Sequence, residues 1–441
     1  GNEFAKGFSS ATDLTGKNNF DKDGYRNNNW FANINYAFNQ NWNLKAFTQQ
    51  TSYNADIDYG TFKDDKDEKF NNATKFTGFI LKYKKEKTVF QLQYQLSTQD
   101  RQYKNDSVDK TYTIFEDNQY AGKSHFADAF FSKSISKNIQ WISGVDFRYG
   151  SYHQTYISIS KWGPYNDKFK DTFQYQTALY TSLLINDASN KWLLELGGRN
   201  NKHNRYGSNQ TFTISPSYKL NANIRFMASA STGYKAPSLY QLSYNEKLKP
   251  EESFNTEIGM EYKTNPLFIR AVYYNRTIEN GIDYNYIDYN FFNYIQQKVN
   301  GLELEFNWKA NEKNNFSANY TLMNGQETNQ NRVTTTDTIT YNYLLKRPKN
   351  TAGIQWTYEV SPKLNFSMAA RYISKRYDVG GYAAADVSLK SYTLLNAHIQ
   401  YKLNKHLLLY ADGQNLANAV FQEINGYNTM GRMLMIGLRL K

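Results

Sequence analysis

The chain has 441 residues, 52 basic against 40 acidic side chains, 38 tyrosines, 28 phenylalanines, 7 prolines and no cysteine, and its mean hydropathy is −0.75. Such aromatic content excludes a disordered polyelectrolyte, and the missing cysteine excludes a disulfide scaffold. No stretch reaches the ~18 to 20 consecutive apolar residues of a spanning helix; a membrane β-barrel stays open, because its strands place apolar residues at every second position only.

The net charge of +12 does not mark a nucleic-acid partner. Basic residues are dispersed, and the run Lys84, Lys85, Lys87 is broken by Glu86, whereas a nucleic-acid footprint gathers Lys and Arg on one stripe. The first residues, GNEFAKGFSSATDL, show no basic region followed by an apolar run, so no signal peptide is read there.

In chain order, period-two alternation predicts about nineteen strands: 29–38, 42–53, 73–84, 87–98, 123–136, 139–150, 171–186, 190–201, 209–220, 222–232, 252–263, 267–280, 297–309, 313–324, 344–358, 363–375, 391–403, 406–415 and 431–440. In the fourth of them Phe90, Leu92, Tyr94 and Leu96 alternate with Gln91, Gln93, Gln95 and Ser97, giving one apolar and one polar face. Later strands repeat the pattern, as where Leu302, Leu304, Phe306 and Trp308 alternate with Glu303, Glu305 and Asn307. The connections alternate too: 39–41 is short, 54–72 long, 85–86 short and 99–122 long. Tight turns at one end and long loops at the other are the pattern of a transmembrane β-barrel. Strands of about 10 to 14 residues suit a tilted crossing of its ~25 Å apolar band and are long for a propeller blade, and no repeat signature is present. The expected fold is therefore all-β, an antiparallel transmembrane β-barrel. Nineteen is odd where bacterial single-chain barrels are even, so the chain reads as lacking its beginning. The stretch 18–29 reads as a loop running into a strand, and 434–440 as a closing strand.

Enzyme signatures fail. There is no G-x-S-x-G, no H-E-x-x-H and no Cys pair. Ala121, Gly122, Lys123 and Ser124 look like the end of a P-loop, but Asp117 stands where its first Gly belongs. His125, His153, His203, His398 and His406 are scattered without ligand spacing. No catalytic residue is assigned.

The stretch 231–262, STGYKAPSLYQLSYNEKLKPEESFNTEIGMEY, resembles the barrel segment of TonB-dependent outer-membrane receptors, in which a strand ends in GYKAP and LKPE opens the next. YNRTIENGIDY at 274–284, VNGLELEF at 299–306, LLKRP at 344–348 and GQNL at 413–416 follow in that family's order, and NGYNTMGR at 425–432 is similar to the cobalamin branch. The resemblance implies residues 1–441 as the barrel domain, with a plug domain and the first strands of a 22-stranded barrel preceding it. It implies active import of a scarce large nutrient, a corrinoid first and a ferric siderophore or haem second, driven by the TonB complex through the plug. A passive porin or adhesin barrel is the remaining alternative. Outer-membrane lipid surrounds such a barrel, a surface lipoprotein is a further partner to be tested, and no cofactor is required. The family usually ends on an aromatic residue, whereas this sequence ends on Leu440 and Lys441.

Two sets of loop residues are candidates for ligand binding. Tyr59, Trp162, Tyr165, Tyr240, Tyr244, Tyr286, Tyr289 and Phe291 could form a platform for a large planar ligand or belong to the aromatic girdle at the membrane interface. Asp56, Asp58, Asp64, Asp65, Asp67 and Glu68 crowd one loop, and Asp106, Asp109 and Asp117 the next. Hard oxygen ligands suit Ca²⁺, which the resemblance places in these loops; Lys63, Lys66 and Lys69 intervene, and a solvated charged loop is the other reading. The polar strand faces, with Gln91, Gln93, Glu195, Arg199, Arg225, Glu303, Glu305 and Arg371, should line the lumen. The positive balance fits an outer leaflet carrying lipid phosphates, with Lys and Arg near the rim.

Overall fold

The computed structural model describes residues 2–16, 19–106, 113–169, 171–335 and 337–440. Among them the chain is a single antiparallel meander in which each wall strand pairs with the next. The wall strands are Asn2–Phe8, Asp23–Ala37, Trp42–Asp56, Glu68–Lys85, Thr88–Asn105, Thr113–Ser134, Ile139–Ser160, Thr172–Asn186, Trp192–His203, Gly207–Lys219, Ile224–Lys235, Glu251–Lys263, Leu267–Glu279, Gln296–Lys309, Asn314–Gln330, Asn350–Ser361, Leu364–Ile373, Tyr392–Lys402, Leu407–Gln414 and Met433–Leu440. Two short strands, Gly163–Lys168 and Thr338–Tyr341, extend the sheet from loops, bringing it to 22 members. The first and last connections meet: Thr12 N donates to the Gly426 carbonyl at 2.9 Å, and Asn428 N to that of Ser10 at 2.8 Å. This brings the ends of the meander together at the long-loop end.

Each of the nineteen expected strands is present, and the structure adds Asn2–Phe8, which pairs with Asp23–Ala37 from Phe8↔Asp23 to Asn2↔Asn28. Residues 23–28 are therefore ladder rather than loop. Their sequence, DGYRNN, carries no apolar alternation, and beside the backbone ladder they are held by Tyr25, whose hydroxyl donates to Glu3 at 2.9 Å and whose ring stacks on Tyr53 at 5.9 Å. The same cause lengthens other strands at the long-loop end. The pair Thr113–Ser134 and Ile139–Ser160 has 22 residues in each strand, where alternation predicted 123–136 and 139–150. At ~3.3 Å per residue such strands far exceed the apolar band, and beyond it polar and aromatic residues predominate, with Ile114, Ile157 and Ile159 exposed among them. One expected strand shortens: 344–349 of the predicted 344–358 is loop, with Leu344 buried against Gly325, and the strand begins at Asn350. Pro348, which has no N–H, could not donate to a ladder there. The outer connection 204–206 is short, an exception to the expected alternation.

Alternate residues face out and in. Ile34, Val145, Leu179, Ile258 and Ile354 are exposed on the outer wall, whereas Asp128 and Asp146 face the interior, where they are buried and stand opposite each other. Arg199 Nη2 binds Asp146 at 2.6 Å, and Tyr180 donates its hydroxyl to Asp128 at 2.8 Å. Gly144 makes room for Tyr180: a Cβ there would lie 2.5 Å from the ring.

Candidate ligand site at the long-loop mouth

The loop after Ile224–Lys235 turns inward through the helix Leu239–Tyr244, the only helix among the described residues. Pro237 ends the extended run, and Ser238 caps the helix: its Oγ accepts from Gln241 N at 3.2 Å, while Gln241 Oε1 accepts from Ser238 N at 2.9 Å. Leu239 and Leu242 are buried and anchor the helix against the strands Ile139–Ser160 and Thr172–Asn186.

This anchoring aims Tyr240 at the wall. Its ring meets Tyr120 at 6.0 Å and Tyr152 at 6.2 Å, both edge to face, and on its other side Tyr244 at 5.2 Å and Phe291 at 5.8 Å. Phe291 continues the array to Tyr284 at 5.0 Å and through it to Tyr286 at 5.1 Å. Between the helix and the wall lies a cavity of about 540 Å³, lined by Tyr103, Tyr120, Tyr152, Tyr156 and Tyr240, with Arg101, Glu68 and Glu116 among its polar groups. Burial, followed by the Tyr244 hydroxyl, pushes the Tyr240 phenol well above its ordinary range, so it remains a neutral donor on an apolar ring. Flat rings in several orientations, with a guanidinium and carboxylates at the edge, can hold a large ligand that is apolar on its faces and polar at its periphery.

Of the aromatic residues expected at this site, Tyr240, Tyr244 and Phe291 come together and Tyr286 joins through Tyr284. Tyr165 meets Tyr156 at 6.2 Å on the far side of the cavity. Tyr59 lies by Glu116, Glu68 and Tyr156, and burial followed by these neighbours raises its phenol. Tyr289 stacks on Tyr382 at 6.3 Å and lies near enough to Tyr284 to act on its phenol, without a ring contact to the array. Trp162 is 76% exposed, with the Lys161 ammonium over its ring at 4.6 Å. The wall residues Arg101, Tyr103, Tyr120, Tyr152 and Tyr156 were not anticipated. Their signal is period-two spacing, 101/103 and 152/154/156, continuing past the point where apolar alternation stops.

The acidic loop is divided by the fold. Asp58 and Asp64 approach Asp21 from the neighbouring connection, with one carboxylate oxygen from each within 4.8 Å of the others. Asp58 is 6% exposed; its Oδ2 accepts from Ser10 Oγ and Ala11 N, both at 2.6 Å, and its Oδ1 from Asp65 N at 2.8 Å. Asp21 Oδ1 is buried and accepts no hydrogen bond. Burial, then Asp64, Asp23 and Asp58, pushes the Asp21 carboxyl up to about 6. Two of the remaining expected acids serve the chain itself: Asp56 accepts from Gly24 N at 3.3 Å, and Asp65 from Asn105 Nδ2 at 2.8 Å and from Asp67 N at 3.1 Å; Glu68 lines the cavity, and Asp67 is not brought into the Asp21, Asp58 and Asp64 group. Asp117 accepts from Gln102 at 2.9 Å, and Asp106 pairs with Lys104 at 3.7 Å; Asp109 lies outside the described residues. Asp21 escaped the sequence reading because it is 37 positions from Asp58, and only the pairing of Asp23–Ala37 with Trp42–Asp56 brings their connections side by side.

The other sequence candidates fall where the alternation puts them. Gln93 donates to Asp128 at 3.4 Å, Arg225 pairs with Glu261 at 2.9 Å and Glu305 with Arg270 at 2.8 Å, all along the inner wall. Ala121 to Ser124 lies within the strand Thr113–Ser134, which is no phosphate loop.

A meander of long antiparallel strands, apolar outside and polar within, with an aromatic cavity at the loop end, defines an outer-membrane receptor barrel. The sequence profile described as "TonB dependent receptor-like, beta-barrel" matches residues 2–416, and the chain belongs to that family of outer-membrane transporters, which are not enzymes. It is 25% identical over 461 aligned residues to the vitamin B12 transporter BtuB of Vibrio cholerae serotype O1, covering 99% of this chain and 68% of that protein. Among solved structures it is similar to the siderophore receptor PiuA of Acinetobacter baumannii, with a TM-score of 0.79, 16% identity and coverage of 99% and 76% of the two chains. It is also similar to the ferric yersiniabactin uptake receptor FyuA of Yersinia pestis, with a TM-score of 0.77, 14% identity and coverage of 100% and 74%.

Proposed function

We propose that this barrel imports a corrinoid, captured between the helix Leu239–Tyr244 and the wall residues Tyr120 and Tyr152, with transport driven by TonB acting on a plug domain. The observation that carries the substrate is the alignment to a vitamin B12 transporter along nearly the whole chain. The cavity is compatible with it: tyrosine rings can cover apolar parts of a large ligand, while Arg101 and the tyrosine hydroxyls reach its polar rim. A Ca²⁺ ion held by Asp21, Asp58 and Asp64 would neutralise their mutual repulsion and tie two neighbouring loops together. The buried, undonated Asp21 Oδ1 fits such an ion.

A ferric siderophore is the second reading, favoured by the fold shared with PiuA and FyuA. Calorimetric titration of the full-length protein in detergent with cyanocobalamin, ferric siderophores and haem, each with Ca²⁺ and with chelator, separates these readings. Binding of cyanocobalamin that weakens in chelator is expected. Binding of a siderophore and not of cyanocobalamin would overturn the corrinoid assignment.

A further inference from the structure

On the outer wall the side chains change character abruptly along the strands Leu267–Glu279, Gln296–Lys309 and Asn314–Gln330. Tyr273, Leu302 and Leu322 stand abreast; the next outward row is Asn275, Asn300 and Asn324, and beyond it come Lys298 and Gln326. Hydrocarbon favours the first row and headgroups the second, so this step marks the upper edge of the apolar band. At this level the wall is notched. The next strand, Asn350–Ser361, begins only opposite Leu322, and above it Met323 N donates instead to the Lys349 carbonyl at 2.8 Å. The notch encloses about 660 Å³. Lys298, Arg347, Lys349 and Lys375 border it, all exposed, with the Lys375 ammonium over the Tyr377 ring at 5.1 Å, and among the described residues no acid lines it. Arg376 also borders it, but its guanidinium is held by the Gln422 carbonyl at 2.5 Å and lies over Tyr392.

We propose that this notch binds the phosphate groups of a lipid of the outer leaflet. Four cations on one rim with no acid among its described lining give the notch a positive potential that favours an anion, and the asparagine amides can donate to phosphate oxygens. Their height on the barrel selects the source: a headgroup seated here leaves its acyl chains along Tyr273, Leu302 and Leu322, which a free anion would not use. Each lysine near a membrane surface adds to the attraction of an anionic lipid.

The test is native mass spectrometry of the full-length protein in detergent with bis-phosphorylated lipid A, its dephosphorylated form and inorganic phosphate. The variant Lys298→Gln/Lys349→Gln/Lys375→Gln is compared with Lys219→Gln/Lys263→Gln/Lys309→Gln, which removes the same charge near the turn end. The wild type should prefer the phosphorylated lipid by about tenfold or more, the notch variant should lose that preference, and the control should keep it. Equal binding of both lipids, an unchanged notch variant, or inorganic phosphate binding as tightly as the lipid would overturn the proposal. Should the notch variant not fold, salt decides: a wild-type preference unchanged between about 50 and 500 mM salt is incompatible with charge-based capture.

Discussion

Arg332 Nη1 and Asp386 Oδ2 are 2.8 Å apart, with both side chains nearly buried, and this pair ties together two loops at the mouth. Arg332 also reaches Glu327 at 2.5 Å and lies over the Tyr341 ring at 4.0 Å, while Tyr343 donates to the same Asp386 oxygen at 2.8 Å. Asn329 links Glu327 to Asp283 of a third loop, at 2.9 and 3.3 Å. Replacing one partner of such a buried pair leaves a charge unpaired. Arg332→Met should therefore destabilise the loop region by about 3 kcal/mol, roughly a hundredfold in local opening. Hydrogen exchange across 374–391 checks this, and unchanged protection would contradict it.

The cation reading has a pH signature. With the Asp21 carboxyl at about 6, acidification from pH 7 to 5 places a proton where a cation would bind. Ca²⁺ affinity should fall by about tenfold over that interval and be lost in Asp58→Asn at either pH. The sign for the cation-free protein is opposite to that of a salt-bridged acid. Between 3.8 and about 6 the folded state binds the extra proton, so stability contributed by this group is present at low pH and lost as pH rises through that window. Thermal unfolding at pH 4.5 and 7, with and without Ca²⁺, tests both statements. A cation effect of equal size at the two pH values would count against the site.

The capping of Leu239–Tyr244 should be felt in ligand affinity. Ser238→Ala removes the acceptor for Gln241 N at a cost of about 1 kcal/mol, which corresponds to about fivefold weaker binding if the helix must be formed to present Tyr240. Ser238→Asp restores an acceptor and should restore the affinity. Loss of affinity in both variants would mean that the serine acts through something other than the cap.

What the sequence made legible was the part of the wall in contact with hydrocarbon. There, apolar and polar residues must alternate, as in 87–98, so the strand announces itself. Above that band the ladder continues without the pattern, which is why Tyr103, Tyr120 and Tyr152 were missed although they line the cavity. Loop residues were recognisable by type, as Tyr240, Tyr244 and Phe291 were, but their meeting depends on a six-residue helix turning inward. Asp21 was hidden for a topological reason, being distant in sequence and adjacent only through strand pairing. Asn2–Phe8 was hidden because its partner segment, 23–28, carries no apolar alternation.

Tyr240 stands between the helix and the wall and lines the cavity, where a bound corrinoid would meet its ring. Cyanocobalamin titrated into full-length wild type, Tyr240→Phe and Tyr240→Ala should bind the first two within about threefold of each other, because the ring supplies the contact. The alanine variant should bind at least about tenfold more weakly, with an unchanged thermal transition. Wild-type affinity in Tyr240→Ala, or no cyanocobalamin binding to the wild type, would contradict a corrinoid seated in this cavity.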